Sequence, residues 1–485
     1  MKSLEIHAEK AWIFLFSSDI CGCIVFSILR GTEMEEKEKL NMTEGSLWDK
    51  ILIFALPIAA TGILQQLFNA ADVAVVGQFV SKQAMAAVGA NSSVVNIMVT
   101  LFVGISLGAN VVISRFTGRK DMDSVEKAVH TAILVSLISG IFVTIFGELI
   151  ARGLLELMTV PEDVMDMAVL YLRVYLIGMP VILLYNFESA IYQSQGDTKT
   201  PLFALVVSGL INVALNLFFV IVVGMTVDGV ATATVISNVI SSGLLFYFLC
   251  RGKLAIRIRK ELFHIDHNLL GMMLRVGLPA GIQGMVFSIS NVIIQAAVNS
   301  LGTDAVAGSS AAFNIEILGY FLVNSFSQAC TTFVSQNYGA GKLDRCRKTL
   351  KTALLESTLI GGGFSFLLVA FGRQLLQIFN GDPAVISYGY ERLFWILCFE
   401  TLNGAIDNIS GAMRGYGESL KPAIVALVGI CGVRIAWVYT YFKTHHTFRI
   451  LMMAYPVSWV ITLAVMIVMY LYLRAHGLGE KKEIL

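Results

Sequence analysis

The sequence predicts an all-α polytopic membrane protein, with twelve transmembrane helices arranged as two pseudo-symmetric six-helix lobes. Three observations carry this. Of the 485 residues, 56% are hydrophobic and only 14% are charged, against about 25% charged in a soluble domain. Apolar runs long enough to cross roughly 30 Å of hydrocarbon recur along almost the whole chain. Third, the chain is internally duplicated. Residues 50 to 250 laid over 271 to 474, with a shift of 222 and later 221, bring "ALPIAATG" onto "GLPAGIQG", so that Pro57 meets Pro279, Gly62 meets Gly284 and Asn69 meets Asn291. Further along, "VISRFTGRK" meets "FVSQNYGAGK" and "QGDTKTP" meets "YGESLKP", pairing Ser114 with Ser335, Gly118 with Gly339 and Pro201 with Pro422.

Residues 1–45 form an N-terminal extension. The run 11–29, "AWIFLFSSDICGCIVFSIL", resembles a signal-anchor, but Asp19 interrupts it and no clear small-residue cleavage site follows. The charged segment "MEEKEKLNM" comes next. The expectation is a natural start at Met34 or Met42; an additional membrane-associated helix is the other reading.

The first lobe, residues 46–250, reads as helices over 51–80, 90–116, 126–150, 164–195, 200–224 and 229–250. Helix 1 carries Pro57, which removes an intrahelical hydrogen bond, and Asp72 within "FNAADVAVVG". A carboxylate near mid-bilayer costs about 2.5–3.5 kcal/mol on an insertion scale and is kept mainly for pathways or relays. Helix 2 contains "GISLG", which satisfies G-x-S-x-G. A nucleophile elbow needs a strand-to-helix turn, so Gly104 and Gly108 read as a close helix contact. An intramembrane serine protease with Ser106 as nucleophile and His130 as base is the enzyme-class alternative, and nothing else in the sequence supports it. In helix 5, Asn212 and Asn216 are four apart and share a face. That spacing allows both a cation-binding pair and plain interhelical hydrogen bonding.

A polar connector, 251–268, joins the halves, and its "HIDH" reads as solvated loop histidines because His264 and His267 have no further ligand partners nearby. The second lobe, residues 269–475, follows with helices over 271–300, 306–337, 347–371, 385–414, 420–442 and 449–474, then a tail, 476–485. Helix 10 places Glu400, Asn403 and Asp407 on one face by their 3, 4, 7 spacing. Facing a cleft, these acids would attract a cationic substrate; the structural alternative is a pairing with Arg434 on helix 11. Glu188 on helix 4 and Glu316 on helix 8 are lone acids, expected near a helix end or a water-filled cavity. The partner of Asp72 in the repeat is Ile294, while Asn212 and Asn216 face Val433 and Trp437, so ionic chemistry belongs to the first lobe. Asn186 matches Asp407.

Basic residues set the orientation. Loops after helices 2, 6 and 8 hold Arg119 and Lys120, then Arg251, Lys253, Arg257, Arg259 and Lys260, then Lys342, Arg345, Arg347 and Lys348; loops after helices 5 and 7 hold none. By the positive-inside rule both termini are expected in the cytoplasm, with the protein multi-pass in the cytoplasmic (inner) membrane. An even number of spans per half puts the pseudo-two-fold axis along the membrane normal. A net charge of +1 and the lack of a basic-aromatic stripe exclude a nucleic-acid partner. The seven cysteines show neither zinc spacing nor a disulfide framework and read as packing residues.

Across residues 45–475 the duplicated pattern resembles the multidrug and toxic compound extrusion (MATE) family of cation-coupled exporters. Pro57 followed by Asp72 in "FNAADVAVVG", the turn "QGDTKTP", "INVALN" in helix 5 and "GVATAT" entering helix 6 carry the resemblance. It implies a secondary active antiporter that exports cationic amphipathic drugs or toxins in exchange for protons or sodium, by alternating access between two lobes. Its cation site falls on Asp72, Asn186, Asn212, Asn216 and Thr234, with Pro57 as the helix 1 bend. Asn216 departs from members that carry Asp there, leaving one carboxylate. Glu400, Asn403 and Asp407 stand as the substrate cleft. No cofactor and no metal beyond sodium at Asp72 are expected; the partners are the lipid bilayer and small-molecule cations, with the protein as a monomer. The alternative function is a flippase for a lipid-linked cell-envelope precursor, which would call for a more cationic cleft.

Overall fold

The computed structural model describes residues 40–158, 160–251 and 262–478. The chain up to Asn41 is a unit of its own, of which only residues 40 and 41 are described; the expectations for residues 1–33 and for most of the basic connector lie outside the described residues. From Met42 onward the chain is one unit.

Helices stand at all twelve predicted positions. They are α1 (Trp48–Phe79), α2 (Lys82–Arg119), α3 (Met122–Leu157), α4 (Glu162–Ile177 and Met179–Ser194), α5 (Lys199–Val222), α6 (Val227–Cys250), α7 (His267–Asn299), α8 (Thr303–Gly339), α9 (Leu343–Ala370), α10 (Pro383–Leu397 and Glu400–Gly415), α11 (Leu420–Phe442) and α12 (Phe448–Ala475). Ten are individually long and apolar enough to cross a membrane, and the two segments of α4, bent by 52°, pass together. α10 carries Glu391, Arg392, Glu400, Asp407 and Arg414 spread along both of its segments, and it is not among the helices apolar enough to pass that test. Its break at Phe399 is the duplicate of the α4 break at Gly178, since 178 plus the shift of 221 is 399. The duplication therefore extends to the interruptions.

Local signals place the ends. Ser81 accepts a hydrogen bond from Ala84 N at 3.0 Å and so starts α2 eight residues before the apolar run does. Asp121 caps α3 through Ser124 N at 3.1 Å, and the two Ser124 hydrogen bonds hold the Asp121 carboxyl below its ordinary range. Asp266, in the middle of "HIDH", caps α7 through Asn268 N and Leu269 N. α1 runs unbroken through Pro57. π-helical turns end α5 at Phe218–Val222 and interrupt α9 and α11.

Large apolar side chains point outward along the spans, among them Ile141, Phe142, Ile145, Phe146 and Leu149 on α3 and Val428 on α11. In water that surface would be a liability; against lipid tails it is neutral. Inside each lobe the buried residues form their own clusters, one centred on Val75, Leu172, Leu183 and Val230, another on Cys330, Leu350, Met413 and Trp459.

The lobes are locked together at the end that bears the basic loops. There α2 and α8 touch backbone to backbone: a Cβ on Gly118 would lie 1.9 Å from Gln336 O, and one on Gly339 would lie 2.0 Å from Arg115 O. Under the shift of 221 these two contacts are images of each other. Ser335 Oγ donates to Val111 O at 2.6 Å, and Thr332 Oγ1 donates to Asn110 Oδ1 at 3.0 Å. Arg115, 2% exposed, donates to Gly415 O at 3.2 Å and lies over the Tyr338 ring. The segment before α1 is fastened to the second lobe as well, because Arg345 binds the carbonyls of Met42, Glu44 and Gly45. Higher up, Gly104 and Gly108 of α2 interleave with Gly277 and Gly281 of α7, which is the helix contact expected from "GISLG". Ser106 Oγ donates to Val103 O of its own turn. Beyond that level Gly284 of α7 lies against the Thr100 side chain of α2, and an exposed hydrogen bond joins Asn96 to Ser288 at 3.4 Å.

Candidate functional site

Asp72 lies seven residues from the end of α1 and is 5% exposed. Three helices meet around it. Asn216 Nδ2 on α5 donates to Asp72 Oδ1 at 2.5 Å, and Thr234 Oγ1 on α6 donates to Asp72 Oδ2 at 3.1 Å. The four-residue spacing in α5 brings the second amide alongside, with Asn216 Nδ2 also donating to Asn212 Oδ1 at 3.2 Å. Asn212 Nδ2 in turn donates to Thr234 Oγ1 at 3.4 Å. Four of the predicted residues thus form one closed ring of hydrogen bonds around a buried carboxylate, and among the described residues no basic side chain pairs with it.

The ring is all oxygen and amide. Asn216 Oδ1 is buried with no hydrogen-bond partner, an unusual cost for a carbonyl. With Asp72, Asn212 Oδ1 and Thr234 Oγ1 it makes an oxygen donor set of the kind hard cations prefer. Thr234 has one hydroxyl proton and two acceptors in reach, Asp72 Oδ2 and its own Val230 O at 3.0 Å, so it can release the carboxylate without being left unsatisfied.

Asn186 is not part of this ring: its amide donates to Ile182 O at 2.8 Å within α4. Pro57 sits in the same helix as Asp72, where it cannot donate to the carbonyl one turn earlier, and Thr61 Oγ1 donates to Pro57 O at 2.8 Å.

The second lobe holds a different polar group. Asn403 Nδ2 donates to Glu400 Oε1 at 2.9 Å, and Glu400 is 3% exposed, buried at the break of α10 instead of opening on a cleft. Asp407 is half-buried and accepts from Asn324 Nδ2 at 3.5 Å; Asn324 also accepts from Gln328 at 2.9 Å. The pairing with Arg434 does not occur. Arg434 donates to Ser458 Oγ at 3.1 Å and its guanidinium lies 4.1 Å from the Tyr455 ring centre, a cation–π contact in place of a direct ion pair.

Glu316 is a further correction. It is not a lone acid at a helix end: it forms a buried, two-pronged ion pair with Arg392 of α10, at 2.9 and 2.5 Å, with Ser309 Oγ accepting a third bond from the same guanidinium at 2.6 Å. A planar guanidinium meets a carboxylate through two parallel bonds. Arg392 lies 76 residues from Glu316, with no periodicity to join them; an acid inside a membrane span is itself the signal that points to a basic partner. Among the described residues no group of three or more His, Cys, Asp or Glu is placed to hold a metal. Of the described cysteines, Cys330, Cys346 and Cys431 are buried, Cys250 and Cys398 exposed.

Comparison with known proteins gives the site its context. The MatE family model matches twice, over residues 57–218 and 279–440, and 279 less 57 is the repeat shift of 222. A protein of Bacillus subtilis named probable multidrug resistance protein YoeA is 26% identical over 83% of this chain and 89% of its own length. Probable multidrug resistance protein NorM of Thermotoga maritima is 27% identical over 80% of this chain and 84% of its own. A solved structure described as the outward-facing conformation of a multidrug resistance MATE family transporter superposes with a TM-score of 0.84, at 21% identity, covering 92% of this chain and all of that one.

Proposed function

The chain belongs to the MatE family, whose members are membrane transporters, and from that premise we propose that it exports cationic amphipathic molecules in exchange for protons or sodium. The observation that carries this reading is the Asp72 ring: a carboxylate buried in one lobe, held by amides and a hydroxyl and, among the described residues, by no basic side chain. A permanent counter-charge would fix its state; neutral donors leave it free to change.

Ionised, Asp72 accepts from Asn216 Nδ2 and Thr234 Oγ1. Protonated, it becomes a donor and needs an acceptor. Rotation of the Asn216 amide supplies one, because its partnerless Oδ1 then faces the carboxyl, and Thr234 turns its proton to Val230 O. A sodium ion, as transported substrate, would instead gather Asp72 and the carbonyl oxygens of Asn212 and Asn216. In both cases the ring rearranges with Asp72 while α1 joins the lobes: α1 packs on α8, with Phe54 edge-on to Phe333 at 5.5 Å and Gly62 against the Phe321 ring. We place the bend that couples the two events near Pro57, where α1 lacks one hydrogen bond.

Opening toward the basic-loop side requires the Gly118–Gly339 contact to part, and the opposite side to close over substrate. Residues 46–250 and 269–475 would move as the two lobes, with both termini in the cytoplasm and a single chain in the inner membrane. The second lobe contributes Asp407, with Asn403 and Glu400 behind it, as negative potential for a cationic substrate. That acidity speaks against a pyrophosphate-bearing lipid as cargo.

Flux of ethidium in inside-out vesicles, driven in turn by a proton gradient and by a sodium gradient, tests the reading. One of the two gradients is expected to drive accumulation; failure of both removes cation-coupled export.

A further inference from the structure

The mechanism above leaves one buried acid unused. Glu188 on α4 is 0% exposed, lies six residues from the end of its helix, and has one side-chain partner among the described residues, Ser242 Oγ, which donates to Glu188 Oε2 at 2.9 Å. Its Oε1 is buried with no hydrogen-bond partner. Ionised, it would be a buried charge with neither counter-ion nor full hydrogen bonding, a state proteins avoid. Titratable groups that interact with it electrostatically include Tyr185 and Tyr192 on its own helix and Cys250 on α6, none of them cationic at neutral pH. His130 and Glu126 on α3, Arg115 on α2 and Asp197 in the following turn lie toward the same end of the lobe.

α6 connects this acid to Asp72. Thr234, which holds Asp72, is followed at helical spacing by Asn238 and Ser242, which holds Glu188. The three are four apart and share one face. Asn238 Nδ2 donates to Thr234 O at 2.8 Å, and Ser241 Oγ donates to Asn238 O at 3.0 Å. Thr234 to Ser242 spans about 12 Å along the helix axis. Asp72 lies toward the far end of α1, whereas Glu188 lies toward the basic-loop end of α4, so the two acids are staggered across the membrane along one polar edge.

We propose that Glu188 is a second proton-carrying carboxyl of the first lobe, taking the coupling proton from Asp72 along the Thr234–Asn238–Ser242 edge of α6 and delivering it to the basic-loop side. The step balances as a proton transfer. Protonated Asp72 becomes a carboxylate, the Glu188 carboxylate becomes an acid, and the proton then leaves to water on the basic-loop face. Hydroxyls and water carry the proton, and Asn238 orients them. This rests on Asp72 being the coupling group and adds that the coupling ion is a proton.

The test uses the full-length protein in proteoliposomes containing a pH-sensitive dye, comparing wild type with Glu188→Gln, Glu188→Asp and Asp72→Asn for ethidium transport, coupled proton flux and ethidium binding. Glutamine keeps the shape and can still accept from Ser242 but carries no proton; aspartate carries one on a shorter stem. Glu188→Gln is expected to slow proton-driven transport by about tenfold or more, with binding unchanged and Glu188→Asp substantially active. Transport by Glu188→Gln within about twofold of wild type, or equal failure of both Glu188 variants, would show a packing role and overturn the proposal. Transport driven by sodium alone would also overturn it while leaving Asp72 as the coupling group. Wild-type pumping by Asp72→Asn would remove the parent reading, whatever Glu188 does.

Discussion

Asn216 and Asp72, 144 residues apart in sequence, share a hydrogen bond of 2.5 Å in the interior of the first lobe. One amide holds the carboxylate and, through Asn212 Oδ1, holds the rest of the ring. A hydrogen bond to a charged group contributes about 1.5–3 kcal/mol. Asn216→Ala is therefore expected to lower gradient-driven ethidium efflux by roughly ten- to a hundredfold with the protein still accumulating in the membrane. Efflux at the wild-type rate would mean that Asn216 merely packs.

In the second lobe, Asp407 is half-buried and its carboxylate accepts from the amide of Asn324, with Arg414 on the same helix segment. If it supplies negative potential in a low-dielectric cavity, Asp407→Asn should weaken transport of monocationic dyes several-fold more than transport of neutral ones. Paired efflux assays with a cationic and a neutral substrate of similar size read this out. Equal losses would assign Asp407 to structure.

The Arg392–Glu316 pair is expected to matter for stability alone. Removing one partner strands a buried charge, a loss of about 3–5 kcal/mol, so Arg392→Ala should sharply lower the detergent-solubilised melting temperature. The double replacement Arg392→Met with Glu316→Leu should recover much of it, because two apolar side chains leave nothing unpaired. A melting temperature unaffected by Arg392→Ala would show that water reaches the pair.

Gly339 meets Arg115 O where no Cβ fits. Gly339→Val should wedge the basic-loop ends of the lobes apart. Ser335, fully buried at that contact, reports the change: a cysteine at position 335 should react with a water-soluble thiol reagent markedly faster in the Gly339→Val background than alone. Unchanged protection would mean that the contact yields elsewhere.

The helices were legible because a bilayer demands long apolar runs and little else, and even polar α10 could be placed through its duplicate, α4. What periodicity cannot supply is the rotation of one helix against another. The 3, 4, 7 spacing put Glu400 and Asp407 on one face, and both lie in the same segment of α10, yet Glu400 is buried while Asp407 is only half-buried. Arg392 and Glu316, 76 residues apart, gave no pattern to join them. Asn186 was placed by resemblance, and in the structure its amide serves Ile182 of its own helix. The ring of Asp72, Asn212, Asn216 and Thr234 was drawn together by resemblance too, since only the α5 pair has a spacing that predicts proximity.

The account turns on whether Asp72 must change charge for the lobes to exchange. Asp72→Asn keeps the shape, and its amide can occupy the same ring, but it cannot cycle between charged and neutral forms. The direct measurement pairs ethidium binding to the purified variant with efflux driven by the coupling gradient. Binding close to that of wild type together with abolished efflux is the expected result; a variant that accumulates normally and still pumps near the wild-type rate would contradict it.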